Sequence, residues 1–168
     1  MSEERNRSYS LQDPMPHIHK GMSMDGLNYM TMLANGEIPP PPISQTLNFS
    51  LAKVEKGYAL FEGEPQEYHY NPIGVVHGGL AATLLDSALG CCVHTMLEQG
   101  MAYTTLQLNV NLVRAITMKT GRLQCEGQVI HAGRQMATAE ATVKDIDGKL
   151  YAHGTTTCLI FPIPQQNK

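Results

Sequence analysis

A single carboxylate, Asp86, interrupts the apolar run His77-Gly78-Gly79-Leu80-Ala81-Ala82-Thr83-Leu84-Leu85-Asp86-Ser87-Ala88-Leu89-Gly90-Cys91-Cys92-Val93. The run reads as a buried helix, hydrophobic nearly all round. An acid in such a helix is costly unless it is paired, protonated or put to use. The same helix opens on Gly78 and Gly79, where ligand atoms can come close to the free N–H groups of a helix start. An acid and an anion-attracting terminus on one element point together to catalysis. Read alone, Asp86 could equally reach a neighbouring hydroxyl or backbone group and serve only structure.

The spacing adds a constraint. Gly78 and Asp86 are eight residues apart, which is roughly 12 Å along a helix axis. One helix cannot bring both to the same carbonyl. Two such helices, antiparallel across a two-fold axis, would bring Asp86 of one chain near Gly78 of the other, so the spacing points to a shared site in a dimer.

The elements that must position these residues alternate in type. Residues 1 to about 21 are polar and irregular, and a short helix is expected from Met22 to Leu33, ahead of Gly36. Met24, Leu27, Met30 and Leu33 fall at helical spacing, a stripe suited to packing or to covering an apolar groove. Pro39 to Pro42 read as an extended connector. Period-two alternation then predicts a hairpin, Thr46 to Val54 and Tyr58 to Glu64, turning at Glu55-Lys56-Gly57. Glu67 to Tyr70 could prolong its second strand, until Asn71-Pro72-Ile73-Gly74 breaks it. The apolar helix follows, Gly78 to Leu97, with Gly100 beyond its end. Four strands are expected after it: Thr104 to Val113, Arg122 to His131, Gln135 to Asp145 and Lys149 to Phe161. Asp147-Gly148 is a strong hairpin signal between the last two. The order β-β-α-β-β-β-β predicts an α+β fold, an antiparallel sheet of five to six strands wrapped round one helix and burying it on every side. The expected layout is an N-terminal extension over 1–45, the sheet-and-helix domain over 46–161 and a tail over 162–168.

Composition narrows the function classes. At 168 residues the chain is long enough for a real core. A net charge of −3 gives no basic surface for nucleic acid or anionic lipid. The apolar helix is interrupted by Asp86 and His94 and is no membrane span. Met1 to Arg5 lack the apolar core of a secretory signal, which makes a cytoplasmic location the expectation. Cys91, Cys92, Cys125 and Cys158 have no zinc-type spacing and read as small buried hydrophobes. His17 and His19 form a metal-like pair, but on a segment with no fixed geometry.

The segment Asn71-Pro72-Ile73-Gly74-Val75-Val76-His77-Gly78-Gly79, with Asp86 further along the helix, resembles the signature of hot-dog-fold acyl-CoA thioesterases, closest to the phenylacetate-degradation type. The resemblance covers Leu47 to Phe161. It implies that the Gly78 N–H polarises the thioester carbonyl, a preorganised dipole aimed at developing charge. It implies that Asp86 of the partner chain attacks that carbonyl or activates a water, and that Asn71 orients the water or the thioester. His77 would fix the loop and assist the leaving thiolate, and Thr105 would hold the water or nucleophile. Gly133 and Arg134 would lie near the coenzyme A nucleotide. Gly79, Ala82, Thr83 and Gly90 would border the acyl pocket, one to two turns from Asp86. Taken singly, several of these have plainer readings. Asn71 before Pro72 is a common turn pair, Thr105 a good strand residue, Gly133 a turn glycine and Arg134 a solvated hairpin tip.

The function this implies is hydrolysis of an acyl-CoA to a carboxylic acid and free coenzyme A. No metal and no cofactor is expected, since coenzyme A is part of the substrate. The active unit is expected to be a homodimer, within a homotetramer. Two alternatives are a hydratase or dehydratase acting on acyl-thioesters, which needs a second acid–base group that the helix does not offer, and a non-catalytic acyl-CoA-binding protein.

Overall fold

The computed structural model describes residues 4–164. The first residues of the extension, 1–3, and the end of the tail, 165–168, lie outside the described residues. Strands β1 (Phe49–Glu55) and β2 (Tyr58–Gly63) form the expected hairpin, and Gly57 turns it at φ 77°. Helix α4 (Gly78–His94) follows, then β3 (Met101–Leu112), β4 (Leu123–Ala132), β5 (Met136–Asp145) and β6 (Leu150–Pro162). The six strands make one antiparallel sheet in the order β1-β2-β4-β5-β6-β3. The crossover from β2 to β3 carries α4, so the helix lies across the strands that complete the sheet. No helix among the described residues is long and apolar enough to cross a membrane.

Alternation builds the core. The inward positions of β5 are Ala137, Ala139, Ala141 and Val143, all buried, and the small side chains let α4 sit close. α4 answers with Leu80, Leu84, Leu85, Ala88, Leu89, Cys92 and Val93. Truncating a fully buried leucine such as Leu85 to alanine would cost about 2–5 kcal/mol. Cys92, Cys125 and Cys158 are buried free thiols, as their apolar settings suggested.

The sheet does not bury α4 on every side. It covers one side of the helix and leaves a stripe, Gly79, Ala82, Thr83, Asp86, Ser87 and Cys91, half-buried or exposed, with Asp86 fully on the exposed side. The stripe is made largely of small residues, so the helix reads as apolar all round although one face is open.

The N-terminal segment is also more regular than its composition suggests. Met15–Gly21 form a short helix, α1, rather than irregular chain, with the Asp13 carboxylate accepting from the Met15 N–H. The helix expected from Met22 starts later, as α2 (Gly26–Ala34), because Asp25 caps it and accepts from the Asn28 N–H. The proline run is extended only through Pro41. Pro42 opens helix α3 (Pro42–Leu47), where a missing N–H costs nothing. Asn48, left-handed at φ 56°, ends α3, so β1 begins at Phe49 and not at Thr46. Glu67–His69 form a 3-10 turn instead of prolonging β2, because Gln66 and His69 cap each other. α4 stops at His94, before Leu97, where the Thr95 hydroxyl bonds back to the Cys92 carbonyl.

Candidate active site

Asp86 stands on the open stripe of α4, opposite β3. Thr105 Oγ1 donates to Asp86 Oδ1 at 3.2 Å. A bulge makes this contact. The β3–β6 register shifts between Thr105 and Gln107, so Leu106 is an extra residue turned outward, 62% exposed. The pair opens into a cavity of about 500 Å³ whose other walls include Leu33, Ile38, Pro41, Phe61 and Cys91. Burial, then the neighbouring Cys92 and Asp86, pushes the Cys91 thiol up to about 12, so it lines the cavity as a protonated side chain.

The loop before α4 holds the other signature residues. The Asn71 carboxamide oxygen accepts from the Ile73 and Val75 N–H groups at 3.1 and 3.2 Å. Its oxygen is therefore committed to the loop, while its NH2 remains a donor. His77 caps α4, its Nδ1 accepting from the Gly79 N–H at 2.9 Å. That bond assigns the imidazole proton to Nε2 when the ring is neutral. The His77 N–H in turn donates to the His69 carbonyl at 2.7 Å, tying the loop to the 3-10 turn. The Gly78 N–H has no acceptor among the described residues. A side chain at Gly78 would meet the tip of the exposed Leu112 side chain of β3 and displace it. Asn71 and Gly78 border a second cavity, about 270 Å³, with Leu112 and Arg114.

Within the chain, then, Asp86 with Thr105 and Gly78 with Asn71 open into separate cavities. Ala82 and Thr83 lie on the same stripe nearer the helix start, outside the Asp86 cavity, and the Thr83 hydroxyl bonds to the Gly79 carbonyl at 2.8 Å. Gly90 is buried against the Tyr103 hydroxyl. Gly133 and Arg134 form the β4–β5 turn, where the Gly133 N–H bonds to Met136 O and Arg134 is exposed. His17 and His19 lie on α1, and no group of three metal-ligating residue types comes together among the described residues. Ser87, Tyr103 and the walls from the N-terminal segment are parts of the site that spacing along α4 does not reveal. The one sequence signal for the N-terminal walls is the apolar stripe that includes Leu33.

The sequence profile of the thioesterase superfamily matches residues 73–152, a span that holds His77, Gly78, Asp86, Thr105 and Arg134. A Saccharolobus solfataricus protein named as an esterase is 31% identical over 126 residues, which cover 75% of this chain and 88% of that protein. The 1,4-dihydroxy-2-naphthoyl-CoA hydrolase of Listeria monocytogenes is 25% identical over 108 residues, 64% of this chain and 86% of its own length. The solved structure of a phenylacetic acid degradation-related protein from Ralstonia eutropha matches with a TM-score of 0.71 at 29% identity, covering 79% of this chain and 99% of that one. Its six-stranded sheet, its central helix and these matches together mean that the chain belongs to the thioesterase superfamily, with the hot-dog fold and the activity of a thioester hydrolase.

Proposed function

We propose that this chain is an acyl-CoA thioesterase whose active site is shared by two protomers, Asp86 and Thr105 from one and Asn71, His77 and Gly78 from the other. The observation that carries the reading is the Asp86–Thr105 pair at the wall of an apolar cavity. The Thr105 hydroxyl occupies Oδ1 and leaves Oδ2 free to take a proton from a water or to attack the thioester carbonyl. As the carbonyl oxygen gains charge, the partner's Gly78 N–H, backed by the α4 dipole, stabilises it. The Asn71 NH2 orients the water or the thioester, and His77 Nε2–H faces the departing sulfur. The products are a carboxylate and coenzyme A, with no metal or other cofactor in the reaction.

Two observations support a second copy of the chain. The eight-residue separation of Gly78 and Asp86 is about 12 Å along α4, too far for one helix to serve one carbonyl. Among the described residues strand β3 is also a sheet edge, paired only with β6, and it carries exposed Leu106 and Leu112. An unpaired apolar edge is a template for another strand. In the dimer the open α4 stripe, with Gly79, Ala82 and Thr83, faces the partner helix. Arg134 and Gly133 hold the nucleotide end of coenzyme A, and the acyl group of the substrate is apolar. The Listeria relative, named for hydrolysis of an aromatic acyl-CoA, supports this class.

Release of coenzyme A thiol from a panel of acyl-CoAs, with phenylacetyl-CoA among them, tests the proposal. Turnover is expected with an apolar acyl group. Hydration of an enoyl-CoA without thiol release, or binding without any reaction, would reject it.

A further inference from the structure

The N-terminal segment lies outside the span matched by the family, yet it roofs the cavity at Asp86. α2 is anchored at the far end of α4. The Gly26 N–H donates to Leu97 O at 2.9 Å, and a side chain at Gly26 would collide with the His94 carbonyl. One turn on, the Tyr29 ring stacks on the His94 imidazole with centroids 5.7 Å apart. At the other end of α2, Leu33 and Ala34 join the wall around Asp86. β3 runs along the opposite wall in antiparallel sense to α4. Thr105 meets Asp86, Tyr103 meets Gly90 and His94, and Met101 lies beside the His94 end. α4, β3 and α2 therefore flank one groove from Asp86 to His94, about 12 Å along the helix.

Tyr103 divides that groove. On the Asp86 side is the cavity of about 500 Å³. Beyond it lies a second cavity of about 230 Å³, lined by Met22, Met24, Tyr29, His94, Met101 and Ile163. Among the described residues Tyr103 alone lines both. Its ring meets His94 edge-on, centroids 5.6 Å apart, and its hydroxyl lies 2.5 Å from where a Cβ on Gly90 would stand. Glycine at 90 is what lets the tyrosine close the partition. The methionines behind it form an adaptable apolar surface of the kind that accepts varied chains.

We propose that the groove under α2 is the acyl channel and that Tyr103 sets its length, so that the substrate is an acyl-CoA whose apolar chain fills the first cavity and stops at the ring. This rests on the reading that the thioester reacts at Asp86. Each methylene that enters the cavity adds roughly fourfold to kcat/KM. Carbons that would have to pass Tyr103 add nothing or are rejected. With the ring removed, the second cavity becomes the continuation of the channel.

The test uses straight-chain acyl-CoAs from acetyl to palmitoyl, with the full chain, Tyr103→Ala and Ala34→Phe. In the wild type kcat/KM should climb with length and then break. Tyr103→Ala should move the break several carbons longer, raising the ratio of long to short substrates by roughly tenfold or more. Ala34→Phe, which fills the first cavity from α2, should move it shorter. Calorimetric binding of non-hydrolysable thioether analogues of the same lengths reports the channel independently of chemistry. If thiol release fails throughout while binding keeps the break and Tyr103→Ala moves it, the channel stands and the catalytic reading falls. The same break in all three proteins overturns the proposal. Should Tyr103→Ala not fold, Tyr103→Leu, which keeps an apolar side chain but opens the partition, takes its place: a longer break supports the proposal, and an unchanged one rejects it.

Discussion

Thr105 Oγ1 and Asp86 Oδ1, 3.2 Å apart, tie the open face of α4 to the bulged edge strand β3. The bond engages one carboxylate oxygen, and the proposed chemistry uses the other. Thr105→Val keeps the β-branched shape and removes only the donor. A neutral hydrogen bond to a charged acceptor contributes about 1.5–3 kcal/mol, so kcat should fall by roughly tenfold or more with little change in KM. Thr105→Ser should recover most of the loss. If valine and serine behave alike in steady-state kinetics, the hydroxyl does not hold the carboxylate.

Asp86→Asn should remove most turnover and leave the fold intact, because the side chain is exposed and its shape is retained. Loss of a base or nucleophile costs a hundredfold or more, about 3 kcal/mol in barrier. Thiol release near the wild-type rate from a protein with unchanged thermal melting would remove Asp86 from the mechanism. Label recovered in the Asp86 carboxylate after a single turnover in water enriched in heavy oxygen would show the nucleophilic mode, in which water opens the mixed anhydride at the aspartyl carbonyl.

The hairpins and the helix of the core were legible because their signals are local. Gly57 sits at the β1–β2 turn, Asp147-Gly148 at the β5–β6 turn, and α4 follows the His77-Gly78 cap. The open stripe of α4 was not legible. Ala82, Thr83 and Cys91 are small and apolar enough to read as core, and only the position of the sheet decides which of them it covers. α1 escaped for a different reason. It buries no residue, so no apolar stripe marks it, and local capping at Asp13 and Pro14 makes the helix. Of the candidate residues, Asp86 and Gly78 stood out on the apolar helix, and Asn71 and His77 only through the resemblance of the segment 71–79 to the thioesterase signature. Leu33, Ile38 and Tyr103 share a cavity with Asp86 only through tertiary packing, which no spacing encodes.

The proposal that two chains share the site predicts complementation. Asp86→Asn subunits mixed with subunits carrying a bulky residue at Gly78 should recover part of the activity, since some mixed sites draw Asp86 and Gly78 from intact copies. A bulky residue at Gly78 meets the Leu112 side chain at the start of α4. Mixed dimers that form, as verified by native mass spectrometry, yet stay inactive would show that the site lies within one chain.

Mild acid should loosen the fold. Burial holds the His94 imidazole below its ordinary value. Burial, and secondarily the Arg7 charge, does the same at His69. The unfolded chain protonates these rings near pH 6.5, before the folded chain does. It therefore binds more protons through that window, and stability present above about pH 6.5 is lost as the pH falls. The melting temperature should drop between about pH 7 and pH 5, and His94→Phe, which keeps a ring beside Tyr29, should drop less. Equal slopes for the two proteins would show that His94 does not carry the effect.

Arg134 should act on coenzyme A affinity and not on chemistry. It stands exposed on the β4–β5 turn, with no ion pair among the described residues, and a guanidinium suits phosphate oxygens in a bidentate contact. Contacts to the nucleotide are the same in the ground and transition states, so their loss raises KM and leaves kcat in place. Arg134→Ala should show that pattern with an acyl-CoA and almost no effect with a truncated acyl thioester lacking the nucleotide. Arg134→Lys should recover only part of the affinity, since an ammonium keeps the charge but not the planar fork. An equal loss on both substrates would mean that the turn acts through structure, and the nucleotide would have to bind elsewhere on the dimer.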